Sequence, residues 1–174
     1  MLRFKEFFYE TYSPEEMETA NRTSRARGAI GAKAITPKYV ESISKPEHTI
    51  LDFGAGSQAA HAERLRGTGL NVTAHEFGTN QNERHDPQAL ERQYHTVYAS
   101  NVLNTQSSPQ MMERTLDQIR AATRKGGGFV GNFPVSPRKS QMKAEDVEAM
   151  LRARFPNVKR VGGTRQAPLW HAHD

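Results

Sequence analysis

The chain has 174 residues and a mass of 19.5 kDa, room for one domain and little more. Its hydrophobic content is 36% and its mean hydropathy is -0.77, which implies a thin core, and no apolar run approaches the roughly 18 residues of a bilayer span. The absence of cysteine excludes disulfide frameworks, thiolate nucleophiles and cysteine-held metals.

The opening MLRFKEFFYE carries charges where a secretory signal needs an apolar segment, so a cytoplasmic protein with no membrane partner is expected. The formal charge is +5 and the pI about 9.6, a basic protein overall. Residues 120–166 hold 11 Lys and Arg against 3 acids, a surplus of +8, and the remainder sums to -3. A basic C-terminal third could face phosphate, or it could be an ordinary solvated surface.

Residues 1–48 read as a helical lead-in or lid. Phe4, Phe7, Phe8 and Tyr12 recur at helical spacing, and Ser13-Pro14-Glu15-Glu16 is a helix start with acids in its first turn. A basic loop bearing Arg22, Arg25 and Arg27 follows, then a helix over 29–44 that Pro37 starts afresh or kinks. From residue 49 strands and helices alternate. Strands are predicted at 49–53, 71–76, 96–100 and 129–133, with helices at 59–66, around 88–92, and from Pro109 to the glycines 126–128. Met112, Leu116, Ile119 and Thr123 form the inward stripe of that last helix. A basic connection at 134–139 leads to a helix over 144–155, with Val147, Met150 and Leu151 inward, and two strands at 158–161 and 167–171 close the chain.

This order implies a doubly wound α/β fold, a mostly parallel sheet with helices on both faces. The last two strands are joined too closely for a helical crossover and are expected to be antiparallel. Residues 49–174 therefore form the core of one compact domain.

Ligands of such sheets sit beyond the carboxyl ends of the strands, where strand order reverses. Asp52-Phe53-Gly54-Ala55-Gly56-Ser57 lies there on the first strand, and Glu76 ends the second, 24 residues after Asp52. Glycines let backbone approach a ligand closely, and a carboxylate at the second tip can accept both hydroxyls of a ribose. Residues 54–59 also fit the G-x-G-x-x-A dinucleotide pattern. Against that reading, Asp52 stands where a dinucleotide fold wants an apolar residue near pyrophosphate, and a carboxylate suits a cationic amino group or sulfonium. The chain also lacks room for a separate catalytic domain, and an antiparallel closing pair departs from the dinucleotide topology.

LDFGAG (51–56), Glu76, YASNVLN (98–104) and KGGGF (125–129) together resemble the class I S-adenosylmethionine-dependent methyltransferases, a Rossmann-like fold, over residues 49–133. The resemblance implies S-adenosylmethionine as cofactor, with S-adenosylhomocysteine as product and no metal. By position, Asp52, Phe53, Gly54, Ala55 and Gly56 would hold the methionine part and Glu76 the ribose. Phe77 would flank the adenine, Asp86 would meet its amino group, and Asn101 would face both cofactor and substrate. Two departures stand out: Gln58 replaces the family's third glycine, and the interval from Glu76 to Thr96 is too short for the usual helix–strand–helix. The third strand is therefore expected to be short or absent, with Asp86 on a loop.

The catalytic residue is not legible. Transfer from a sulfonium can rest largely on positioning, and the Pro-Pro-aromatic motif of nucleic-acid amino methyltransferases is missing after Ser100. Asn132-Phe133-Pro134 resembles it only in the wrong place. Attack on pyrimidine C6 by cysteine is excluded. His75 and His85 flank the pocket as structural histidines or a base, and His171-Ala172-His173 reads as a surface tail rather than a metal site. The implied function is methyl transfer to an unidentified acceptor, with nucleic acid or another anion suggested by residues 120–166. The alternatives are a catalytically silent module that binds cofactor, nucleic acid or a partner on the same fold, and a nicotinamide enzyme. Oligomeric state is not legible either.

Overall fold

A computed structural model of the chain describes residues 12–24 and 34–174. Phe4, Phe7, Phe8, Arg25, Arg27 and residues 29–33 lie outside them. Helix α1 (Pro14–Ser24) begins with a reciprocal cap. The Ser13 hydroxyl accepts the Glu16 N–H at 3.1 Å, and the Glu16 carboxylate accepts the Ser13 N–H at 2.9 Å. Helix α2 (Ile35–Ile43) carries Pro37 in its first turn, where no intrahelical N–H is missed. Strand β1 (Thr49–Phe53), helix α3 (Ala60–Gly67), strand β2 (Asn71–His75) and strand β3 (Tyr94–Ala99) follow. Helix α4 (Pro109–Ala122) starts on a Ser108 side-chain cap with proline in its first turn. Strand β4 (Thr123–Asn132), helix α5 (Ala144–Arg152), strand β5 (Asn157–Gly163) and strand β6 (Pro168–His173) complete the chain.

The strands form one sheet in the order β2-β1-β3-β4-β6-β5. The first four are parallel, and β6 runs antiparallel to both β4 and β5. Alternate residues of the central strands feed two cores. Leu51, Val97, Phe129 and Trp170 pack with Met112, Leu116 and Ile119 of α4 and Val147 and Leu151 of α5. Ile50, Tyr98 and Val130 pack on the other face with Val40 of α2 and Ala62 and Leu65 of α3. Burial on both faces explains why these strands read as continuous apolar runs.

Between β2 and β3 the chain makes only two short 3-10 turns, Gly78–Asn80 and Ala89–Glu91, and no strand. The second replaces the helix expected around 88–92. Strand β2 is therefore the sheet edge. The shortened middle anticipated from the sequence is real.

The glycines 126–128 do not end α4, which stops at Ala122. They lie inside β4, where Tyr94 pairs with Thr123 but Thr96 pairs with Gly128. Residues 124–127 thus form an outward irregularity in the strand. A Cβ on Gly127 would stand 2.7 Å from the His95 carbonyl oxygen, so the ladder closes only around a residue with no side chain. The helix expected to 155 ends at Arg152. The terminal histidines are not a loose tail, because β6 is an interior strand and the His171 ring pairs with the Tyr39 hydroxyl at 3.1 Å. No helix among the described residues is long and apolar enough to cross a membrane.

Gly127→Ala is expected to destabilise the fold by about 1–3 kcal/mol through this backbone clash. Gly67→Ala, at a helix end with open space around the new methyl, should be neutral or stabilise by about 0.5 kcal/mol. Urea unfolding of the two variants measures both.

Candidate functional site

The carboxyl ends of β1, β2 and β3 bring the glycine turn, Glu76 and Asn101 to one end of the sheet. Strand β1 passes into the turn, whose Gly54 and Ala55 N–H groups both donate to the His75 carbonyl, at 3.0 and 2.9 Å. Gly54 and Gly56 have φ of +77° and +75°, a region that L side chains rarely adopt. Their roles differ. A Cβ on Gly54 would collide with Val102 Cγ2 at 2.6 Å, so this glycine lets the turn sit against the segment after β3. A Cβ on Gly56 would meet nothing within 4 Å, so the surface above it is open to a ligand.

Glu76 is 5% exposed and braces this turn. Its Oε2 accepts the Gly56 N–H at 2.8 Å and its Oε1 the Phe77 N–H at 2.9 Å. Burial raises its pKa above the ordinary value, against the two N–H donors. A carboxylate can accept about four hydrogen bonds, so two remain for hydroxyl donors.

The turn is also held from the side of the shortened middle. Asn82 N–H donates to His85 Nδ1 at 3.0 Å, which fixes the proton on Nε2 and directs it to the Gly56 carbonyl at 2.8 Å. Asn82 Nδ2 donates to the Ser57 carbonyl at 2.7 Å. Loop 80–86 thus does the bracing of a missing strand, and His85 has no free nitrogen to act as a base. His75 is pushed down to about 4 by burial and the neighbouring His85, so it is neutral and packs its ring on Phe53. Both are structural histidines.

Asp52 is 1% exposed on β1, flanked in register by Ala74 and Tyr98. Burial pushes its pKa up to about 7, with the Glu76 charge adding to the rise. The Tyr98 hydroxyl, Arg66 and the Ala62 N–H oppose it. Asp52 Oδ2 makes no hydrogen bond of normal geometry, and the neighbouring Tyr98 hydroxyl is likewise unsatisfied. A buried, unpartnered carboxylate oxygen is costly unless a cation or donor meets it.

Asn101 also has a left-handed backbone, with φ of +57°, a conformation that asparagine tolerates better than most residues. Its N–H donates to Asn132 Oδ1, and Asn132 Nδ2 donates to Asn101 Oδ1, both at 2.8 Å. This pair ties the tips of β3 and β4 together. Asn132 was visible in the sequence only as a residue within the strand expected at 129–133, and its partner is 31 residues away. Among the described residues the other non-glycine with positive φ is Ala59, at 47°, at the entrance to α3. The backbone reversal thus falls one residue beyond Gln58, which takes the family's third-glycine position.

Phe77 is covered by α1. Its ring meets Tyr12 edge-on at 5.3 Å, and Met17, Ala20 and Met111 complete the cluster. Tyr12 Oη lies 2.9 Å from Thr115 Oγ1, which in turn donates to Gln106. The Asn80 N–H donates to Asn21 Oδ1 at 2.9 Å. Asp86 stands apart from the set: its carboxylate accepts the Gln88 N–H at 2.8 Å and pairs with Arg92. Arg22 pairs with Glu18 of its own helix. Among the described residues no three His, Asp or Glu side chains gather to hold a metal.

No protein-family model matches the chain, and no curated protein matches it in sequence. Solved structures do. It is similar to a TehB-like SAM-dependent methyltransferase from Corynebacterium glutamicum, with a TM-score of 0.64, 12% identity, and 92% of this chain and 98% of that one covered. A magnesium protoporphyrin IX methyltransferase from Synechocystis, solved with bound SAM, gives a TM-score of 0.59 and 15% identity over 99% and 98% of the two chains. A 16S rRNA N2 G1207 methyltransferase from T. thermophilus, in complex with AdoMet and guanosine, gives 0.59 and 14%, covering 86% of this chain. The chain spans 45% of that longer protein. The fold is that of the class I S-adenosylmethionine-dependent methyltransferases.

The folded pKa of Asp52 lies above its unfolded value near 3.9, so the native state binds the proton more tightly. The resulting stability is present below pH 4 and lost as pH rises to about 7. Asp52→Asn should therefore match the parent protein at pH 4 and exceed it by a few kcal/mol at pH 8. Urea midpoints at the two pH values report the difference.

Proposed function

We propose that this chain is an S-adenosylmethionine-dependent methyltransferase whose cofactor lies over the glycine turn. The observation that carries the reading is Asp52 Oδ2, without a hydrogen bond of normal geometry and buried beside a turn whose Gly56 leaves open space above it. These features suit a ligand with a cationic methionine end, for which the Asp52 charge is a counter-ion. The free acceptor sites of Glu76 suit the ribose hydroxyls, and Phe77, held by Tyr12, offers an edge to the adenine. Backbone at Phe53 and Ala55 lines the approach. Asp86 would reach the adenine only by leaving Arg92 and the Gln88 N–H.

When bound, the cofactor supplies an electrophilic methyl group: an acceptor lone pair takes the carbon as its bond to sulfur breaks, giving S-adenosylhomocysteine, and the acceptor's proton passes to solvent. The residues here act by placement. Asn101 and Asn132 fix the tips of β3 and β4, where an acceptor would meet the cofactor. Of the lead-in expected over residues 1–48, α1 acts in this reading as a lid, supported by its lying over Phe77 and bonding to Asn80, whereas α2, with Val40 buried against the sheet, belongs to the core with residues 49–174. The solved relatives act on acceptors as different as a porphyrin and ribosomal RNA by their names, so the fold leaves the acceptor open.

Titration calorimetry with S-adenosylmethionine should give a saturable signal that strengthens as pH rises from 6 to 8, because the ionised Asp52 is the binding form. Asp52→Ala should weaken binding at least about tenfold, the loss of one buried charge pairing. No heat with the intact protein would remove the reading. Transfer of a labelled methyl group into an acceptor pool distinguishes the enzyme from the silent module, which would bind without transfer.

A further inference from the structure

The +8 surplus of residues 120–166 does not survive folding as one patch. Arg120 pairs with Asp174, Arg154 with Glu113 and Asp117, and Arg152 and Arg160 share Glu148. Three of those acids, Glu113, Asp117 and Asp174, come from outside the basic stretch. The cations left without an acidic partner fall at separate places. Arg124 and Lys125 lie at the amino end of β4, Arg124 bonded to His95. Lys159 stands exposed on the edge strand β5. Arg138, Lys139, Lys143 and Arg165 lie at the end opposite Arg124 and Lys125, where β4 delivers the chain beside the Asn101–Asn132 pair.

This second group sits on a preformed rim. The Arg138 guanidinium stacks 4.0 Å over the Phe133 ring and donates to the carbonyls of Phe133, Pro134 and Gln166. It thereby fastens loop 134–143 to the β5–β6 turn. The same loop is fastened to the segment after β3: Asn104 Nδ2 donates to the Pro137 carbonyl at 2.8 Å, and the Lys139 N–H to the Asn104 carbonyl at 3.0 Å. Lys139, Lys143 and Arg165 are exposed. So is Val135, at 56%, an exposed large apolar side chain on the same loop. Glu145 and Asp146 offset part of the charge, Asp146 being engaged by the Lys143 N–H.

We propose that this rim is the landing surface for the phosphate backbone of a nucleic-acid strand, with a base presented to the tips of β3 and β4. The proposal rests on the methyltransferase reading of the site and names its acceptor class. Three exposed cations along an edge fixed by Arg138 and Asn104, with an apolar contact among them, suit a polyanion carrying apolar groups better than a neutral metabolite. Buried or paired arginines such as Arg154 and Arg160 contribute little to such an encounter.

The test measures binding of the full chain to labelled single-stranded RNA and DNA of the same sequence, about 20 nucleotides long, between about 50 and 200 mM salt. The combined variant Lys139→Gln, Lys143→Gln, Arg165→Gln should lower the slope of log affinity against log salt by about 2, and weaken binding at least about tenfold. Arg124→Gln with Lys125→Gln, at the other end of the sheet, should leave the slope unchanged. An unchanged melting temperature verifies that the rim variant is folded. Equal binding of RNA and DNA supports backbone recognition alone, and preference for one identifies the acceptor polymer. Absence of binding to either, a slope indifferent to the rim variant, or a loss confined to the Arg124 and Lys125 variant overturns the proposal. Calorimetry with S-adenosylmethionine on the same preparations separates the two claims: loss of the cofactor signal in the parent protein sinks the methyltransferase reading, whereas the salt slopes judge the rim.

Discussion

A carboxylate buried beneath a glycine turn is the constraint around which this protein is arranged. Asp52 sits on a central strand, 1% exposed, with one oxygen making no hydrogen bond of normal geometry. Desolvation alone makes its charged form unfavourable, and the nearby Glu76 charge makes it more so. An apolar residue there would pack more easily on Tyr98 and Ala74. The fold gives up stability at neutral pH to keep an anion where the strand meets the turn. That choice is intelligible if a cation is to be received.

The surroundings of the turn follow from the same requirement. A loop with two glycines in the left-handed region has little stiffness of its own. Here both sides of the Gly56 residue are tied, its N–H to Glu76 and its carbonyl to His85. The His85 tie is notable because the strand and helices that usually follow β2 are absent. A short loop, knotted to the turn by Asn82 and His85, takes over their positioning with side-chain hydrogen bonds in place of a ladder. At the next tip, Asn101 and Asn132 do the equivalent for β3 and β4. Rigidity at this end of the sheet thus comes from five side chains, Glu76, Asn82, His85, Asn101 and Asn132, rather than from additional secondary structure.

Much of this was legible in the chain. The apolar runs of β1, β3 and β4 mark strands buried on both faces, and Ser13-Pro14 and Pro109 mark helix starts. Asp52, the two glycines and Glu76 were identifiable because their spacing fits a strand–turn–helix–strand unit. The glycine run 126–128 misled, since three glycines stop a helix by propensity and equally permit a crowded strand. Only the approach of the His95 carbonyl decides between these. His171 and His173 misled likewise: a terminal position suggests exposure, yet β6 inserts between β4 and β5.

The sequence by itself determined the alternation of strands and helices, the glycine turn with its two acids, and the shortened middle, because these depend on local periodicity and backbone conformation. Only the tertiary structure decided which charges remain free, which histidines are spent, and how the turn is braced. Charge in a sequence counts residues, whereas charge on a surface depends on partners brought from far along the chain. Arg154 reaches Glu113 across 41 residues and Arg120 reaches Asp174 across 54, and the cations those pairings leave over include a small rim beside the strand tips. A chain of 174 residues could carry a net charge of +5 in many arrangements, and the pairing of its arginines selected this one.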